Sequence, residues 1–316
     1  MDVSVTATSK IRMIVRLCAI GLLVISSVGA SNERVSASSK SSRVEALVRG
    51  ARVAYHQQRV AAADSLYSRA LELDLQAADA WVGRGEIQCQ MGNYAQAMEF
   101  LNRGLRFDRK NVLGWYYRGN TWTCLSQFDS AIADYNRLIA IDPYHSDAYV
   151  SRAFAYQYKG DTVQERLDIA RALLMDSTNT KARISMSNVL ERSGKWERAL
   201  TELGKAISHC PKDSIAQLSR AHLIRGTILD GHGLDSLAMD DWTKVTVLTP
   251  GVPVTYFYMG RLLWEQEDTS GARERFDQLF YLSAPSDSAL VREALEMMPA
   301  IEPDADRLLR WKRHGR

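Results

Sequence analysis

The sequence predicts an all-α protein built from antiparallel helix pairs, and three observations predict it. One motif returns every 34 residues: Ala80-Trp81-Val82-Gly83-Arg84-Gly85, Gly114-Trp115-Tyr116-Tyr117-Arg118-Gly119 and Ala148-Tyr149-Val150-Ser151-Arg152-Ala153. Within each repeat, small and apolar residues fall at positions 4, 8 and 11 and again at 20, 24 and 27, which are two stripes of helical spacing. Glycine separates the two stripes and proline or aspartate follows the second, where helices stop. One such hairpin cannot bury its apolar face alone, so neighbouring hairpins must stack.

Taken in order, the chain opens on a segment unlike the rest. Lys10, Arg12 and Arg16 precede an apolar run from Leu17 to Val28, which ends in Val28-Gly29-Ala30. A basic region, a short apolar region and small terminal residues predict an export signal over 1–30, cleaved after Ala30. The mature protein would then be exported, periplasmic or secreted. An uncleaved N-terminal membrane anchor is the alternative, although spanning a bilayer takes about 20 residues. Met13 is a second candidate start. Residues 31–43 hold six serines, Ser31, Ser36, Ser38, Ser39, Ser41 and Ser42, and predict a flexible linker.

The repeats follow at 44–77, 78–111, 112–145, 146–179 and 180–213, then, after an insertion of five residues, at 219–252 and 253–286. The eighth position is small throughout: Ala51, Gly85, Gly119, Ala153, Ser187, Gly226 and Gly260. The twentieth is alanine except at Glu165, and close helix crossing explains both columns. The twenty-fourth is large: Tyr67, Leu101, Tyr135, Ile169, Leu203, Trp242 and Phe276. These side chains are expected to fill the space between one hairpin and the next. Gly92, Gly160, Gly194 and Gly233 fall between the helices and predict positive φ. Asp74, Asp108, Asp142 and Asp176 fall beyond the second helices, where a carboxylate can hydrogen-bond a turn. Ser288 to Met298 predicts a helix capping the last repeat, within a closing segment 287–316 that ends in a basic tail.

These columns resemble those of the tetratricopeptide repeat family: aromatic at 4, small at 8, alanine at 20, aromatic or leucine at 24, proline at 32. The resemblance covers about 240 residues and implies a right-handed superhelical α-solenoid with a concave groove. It further implies that first-helix positions 2, 5, 9, 12 and 13 line that groove. In the repeats from 112 to 213 they include Tyr116, Asn120, Phe154, Gln157, Tyr158, Asn188 and Arg192. These seven are the expected binding residues for an extended peptide or a partner helix. The aromatics offer rigid apolar area, and the amides of Asn120 and Asn188 can donate and accept at once. Position 5 never carries the lysine by which relatives clamp a C-terminal carboxylate.

The formal charge of +3 falls to +1 once residues 1–30, with three bases and one acid, are removed. Five of the remaining positive charges are Arg307, Arg310, Lys312, Arg313 and Arg316. The body between is thus slightly acidic, without the basic stripe that nucleic acid requires. The tail either contacts anionic lipid or an acidic partner or merely aids solubility. Cys89, Cys124 and Cys210 form no disulfide framework, and free thiols are expected. Zinc, phosphate-loop and nucleophile-elbow motifs are absent from the sequence, so no catalytic residue, metal or cofactor is expected. Arg84, Arg118 and Arg152 share position 7, where pairing with a nearby acid is the expectation and an anion-binding ladder the alternative. The function expected is a non-enzymatic protein-interaction scaffold. The alternative is a structural subunit of a cell-envelope assembly or secretion complex.

Overall fold

A computed structural model of the chain describes residues 40–283 and 288–297. The predicted export segment 1–30, residues 31–39 of the predicted linker and the basic tail lie outside the described residues. Only helices occur among the described elements, and the fold is all-α. The described residues belong to two compact units that divide between Asp142 and Pro143.

The first unit holds three helix pairs: α1 (40–56) with α2 (Val60–Leu73), α3 (Ala78–Gln90) with α4 (Tyr94–Phe107), and α5 (Val112–Cys124) with α6 (Phe128–Ile141). The second holds α7 (Ser146–Tyr158) with α8 (Thr162–Met175), α9 (Thr180–Arg192) with α10 (Trp196–His209), α11 (Ile215–Asp230) with α12 (Asp235–Leu248), and α13 (Pro253–Glu265) with α14 (Thr269–Leu282). It closes with α15 (Ser288–Met297), which buries Val291 completely and packs Ala294 among Phe257 and Phe276. Residues 40–43, read as linker, form the first turn of α1 instead. That turn is exposed ahead of buried Val44, so no apolar stripe marks it in the sequence.

Packing explains the columns. Within a hairpin, the large residue at position 24 lies directly on the small one at position 8. A Cβ added to Gly119 would come within 2.6 Å of the Tyr135 ring, and one at Gly260 within 2.7 Å of the Phe276 ring. At Gly226 it would meet the Trp242 indole at 2.5 Å. These large residues therefore pack inside their own hairpin as well as between hairpins. Tyr67 does both, because it also lies under Gly83 of the next pair. Tyr135, Trp242 and Phe276 are all essentially sealed from solvent, and each contributes roughly 2–3 kcal/mol of transfer free energy.

The turns between paired helices share one conformation. Gly92, Gly160, Gly194 and Gly233 have φ between 70° and 77°. The equivalent residues elsewhere, Gln58, Ser126 and Glu267, are held near 60° without being glycine. Asp74, Asp108 and Asp176 each accept a hydrogen bond from the backbone N–H two residues on, at 2.8–2.9 Å.

Position 4 carries a tether that the sequence did not reveal. Trp81 donates its indole N–H to the Leu75 carbonyl and Trp115 to the Arg109 carbonyl, both at 2.8 Å. Tyr149 and Tyr256 donate to the carbonyls of Pro143 and Pro250, and Arg183 to that of Ser177. Each donor reaches back six residues, so the polar tip fastens the helix start to the turn before it. The insertion before 219 interrupts this series. It adds a turn to the front of α11, and His222 in column 4 turns to Asp241 instead, at 2.8 Å.

Candidate partner-binding face

The arginines of position 7 reach acids on the paired or preceding second helix. Arg118 forms a two-bonded fork with Asp134 at 2.7 and 2.8 Å, and Arg152 an equivalent one with Asp168 at 2.8 Å. Arg225 does the same to Asp241, whereas Arg84 reaches Asp64 of the preceding pair. The carboxylates of Asp134, Asp168 and Asp241 are buried, and such geometry is the strong form of the ion pair. Burial alone would raise the Asp241 carboxyl. The hydrogen bonds from Arg225 and His222 outweigh it and hold Asp241 at about 2. This ladder is committed to holding helices together.

The seven expected binding residues fall in both compact units. In the first, α5 places Tyr116 against Tyr117, with ring centroids 5.5 Å apart. Asn120 is not the spare groove amide that its position suggests. Its Oδ1 accepts a hydrogen bond of 2.8 Å from the hydroxyl of buried Tyr135.

In the second unit, α7 carries Phe154, Gln157 and Tyr158. The rings of Phe154 and Tyr158 lie 4.9 Å apart and tilted by 58°, yet they remain 38% and 61% exposed. Such spacing on one helix brings side chains at i and i+4 together. On α9, Asn188 is half-buried, and its side chain, like that of Gln157, makes no hydrogen bond among the described residues. Arg192 is engaged: its Nη2 lies 2.5 Å from Glu165 Oε1.

A further group lies on the first helices of the first unit, where the same columns, applied to earlier repeats, would have found it. Glu86 is at position 9 and Tyr55 at position 12. Burial raises the Glu86 carboxyl above its ordinary range, against the Tyr117 hydroxyl and the charges of His56 and Arg52. Burial, and then the nearby Glu86 charge, push the hydroxyls of Tyr55 and Tyr117 up, and Tyr67 is pushed up to about 12. Cys89, Cys124 and Cys210 are free, with burial pushing the Cys89 thiol up. Among the described residues, no group of three or more His, Cys, Asp or Glu could hold a metal ion. No described helix is long and apolar enough to cross a membrane.

Residues 54–116 match the model of the tetratricopeptide repeat family. Human tetratricopeptide repeat protein 6 is 24% identical over 202 residues, 54% of this chain and 39% of that protein. Human protein O-mannosyl-transferase TMTC3 is 28% identical over 120 residues, 38% of this chain and 13% of that protein. The chain thus spans less than half the length of either curated relative. The crystal structure of a tetratricopeptide repeat protein from Parabacteroides merdae ATCC 43184 is 18% identical, with a TM-score of 0.60 over 82% of this chain and 99% of that one. That likeness shows the stacked-hairpin fold.

Proposed function

We propose that this tetratricopeptide-repeat chain is a non-enzymatic scaffold that holds an extended peptide or a partner helix against its first helices. The observation that carries this reading is the exposed ring pair of Phe154 and Tyr158. The fold buries its large column-24 side chains, but these two rings stay in water at an entropic and hydration cost that a partner would relieve. The free amides of Gln157 and Asn188 can grip a peptide backbone whatever its side chains. Arg192 contributes only the part of its guanidinium that Glu165 does not hold. Tyr116, and the Nδ2 of Asn120, serve a peptide on α5 in the same manner. The protein acts after export, as the composition of residues 1–30 suggests.

The test is capture by the tagged mature chain from its native compartment, compared with a Phe154→Ala/Tyr158→Ala variant. Both side chains are exposed, so the helical circular-dichroism signal and the melting cooperativity should persist. Loss of an aromatic anchor costs about 2 kcal/mol or more, so capture of the wild-type partner should weaken at least tenfold. Undiminished capture would place the binding surface elsewhere. N-terminal sequencing of the same material should begin at Ser31, and a chain beginning at Met1 or Met13 would refute export by cleavage.

A further inference from the structure

We propose that a cationic recess between α4, α5 and α6 is a second binding site, and that its ligand is a peptide segment rich in carboxylates. The recess has a volume of about 570 Å³, and Arg106, Arg109, Lys110, Arg118 and Arg137 line it. Only Arg118 is neutralised, by Asp134, with its Nη1 also donating to Asn102 at 2.8 Å. The other four cations have no carboxylate within ion-pair reach among the described residues. Leu105, Trp115 and Ile141 add an apolar wall.

The bland alternative is that these cations merely answer the helix ends beside them, since α4 stops at Phe107 and α6 at Ile141. Each helix C-terminus is worth about half a negative charge. Two of them offset roughly one of the four surplus cations and leave about three. The second compact unit supplies an internal control. A recess of about 400 Å³ occurs at the equivalent place between α8, α9 and α10. There Glu202 takes both Arg183, at 2.5 Å, and Lys205, at 2.8 Å. The repeat geometry makes the recess in both places, but at α8–α10 one of three lining cations, Arg198, is left without a carboxylate among the described residues, whereas at α4–α6 four of five are.

The ligand's chemistry follows from how that charge is laid out. The cations stand on α4, on the turn after it and on α6, so they suit several separated anions better than one compact one. Guanidinium forks match carboxylates two bonds at a time. The face of Trp115 is already covered by Arg118, whose guanidinium carbon lies 4.7 Å from the ring centroid, and its N–H is bound to the Arg109 carbonyl. The indole is therefore a wall for an aliphatic side chain and not a platform for stacking a base. A segment with acidic residues on either side of an aliphatic one satisfies both features.

Isothermal titration of the full chain with the synthetic peptide Glu-Glu-Leu-Glu-Glu tests this directly. Saturable binding is expected, weakening as salt rises and shortens the Debye length from roughly 10 Å. The Gln-Gln-Leu-Gln-Gln peptide should not bind. The Arg106→Gln/Arg137→Gln variant, with its helical signal intact, should bind the acidic peptide at least tenfold more weakly. Undiminished binding by that variant would overturn the site, because the attraction would then lie elsewhere, as in the basic tail. Binding of the uncharged peptide, or of inorganic phosphate with no binding of the acidic peptide, would overturn the ligand class.

Discussion

Arg192 reaches Glu165 across 27 residues, from the first helix of one hairpin to the second helix of the hairpin before it. Glu165 fills the one column-20 site without alanine. It is only 2% exposed, and its second oxygen has no partner. A buried carboxylate with half its hydrogen bonds unmade is costly, and removing its only cation costs more. Arg192→Ala should therefore destabilise the chain by about 1–3 kcal/mol in urea melts. Glu165→Ala restores the common residue and should be neutral or stabilising, and the double variant should recover most of the loss of Arg192→Ala. Additive losses in the double variant would mean that the pair is not coupled.

The contact between columns 8 and 24 predicts a size rule. Gly260→Ala drives a methyl into the Phe276 ring and should cost about 2 kcal/mol through overpacking. Adding Phe276→Leu should recover part of that cost, since in the repeat at 180–213 a buried leucine, Leu203, fills column 24 where column 8 carries a Cβ, at Ser187. Thermal melts of the two single variants and the double variant decide the point.

Ser126 pays the left-handed penalty that glycine avoids, with φ at 58°. Ser126→Gly should stabilise the first compact unit by about 1 kcal/mol. The same change at Ala97, inside α4, should destabilise by at least about 0.5 kcal/mol. Equal effects at both positions would rule out strain at the turn.

Asp241 gives stability a dependence on pH. Its carboxyl is held at about 2 in the folded chain, against an ordinary value of 3.8. The lowered value means that its contribution is present above 3.8 and is lost as pH falls through about 2. At about 1.36 kcal/mol per pKa unit, that contribution is roughly 2 kcal/mol. Asp241→Asn should be less stable than wild type by about that amount at neutral pH. The gap should close below about pH 2, and a gap independent of pH would show that packing, not charge, is lost.

Much of the fold was legible because its signals are local. The small and large columns, the turn glycines and the turn aspartates each declare themselves within one repeat. The pairing of Arg118 with Asp134 was less legible, because it depends on where two helices cross and not on the spacing along either one. The site was legible only as a set of columns. Asn120 sits in a groove column, yet it is spoken for by Tyr135, and nothing in the spacing of Asn120 announces that bond. Gln58, Ser126 and Glu267 hide the shared turn conformation because the fold imposes a backbone angle that their side chains do not favour. The cations from Arg106 to Arg137 share no repeat column, and only the packing of α4, α5 and α6 brings them to one recess.

The backward tethers of Trp81, Trp115, Tyr149, Arg183 and Tyr256 make the array resemble a zip with one stud missing. Wherever the stud is present, a helix start that lifts away gives up a hydrogen bond to the turn behind it. At α11 the stud is turned aside, His222 being locked to Asp241. The five inserted residues there leave the start of α11 without that backward bond, while Ile184, Leu203 and Ala221 still join α9, α10 and α11 in one buried apolar cluster. A local opening of the first turn of α11 therefore breaks no such bond, and what holds that turn in place is the apolar cluster beneath it.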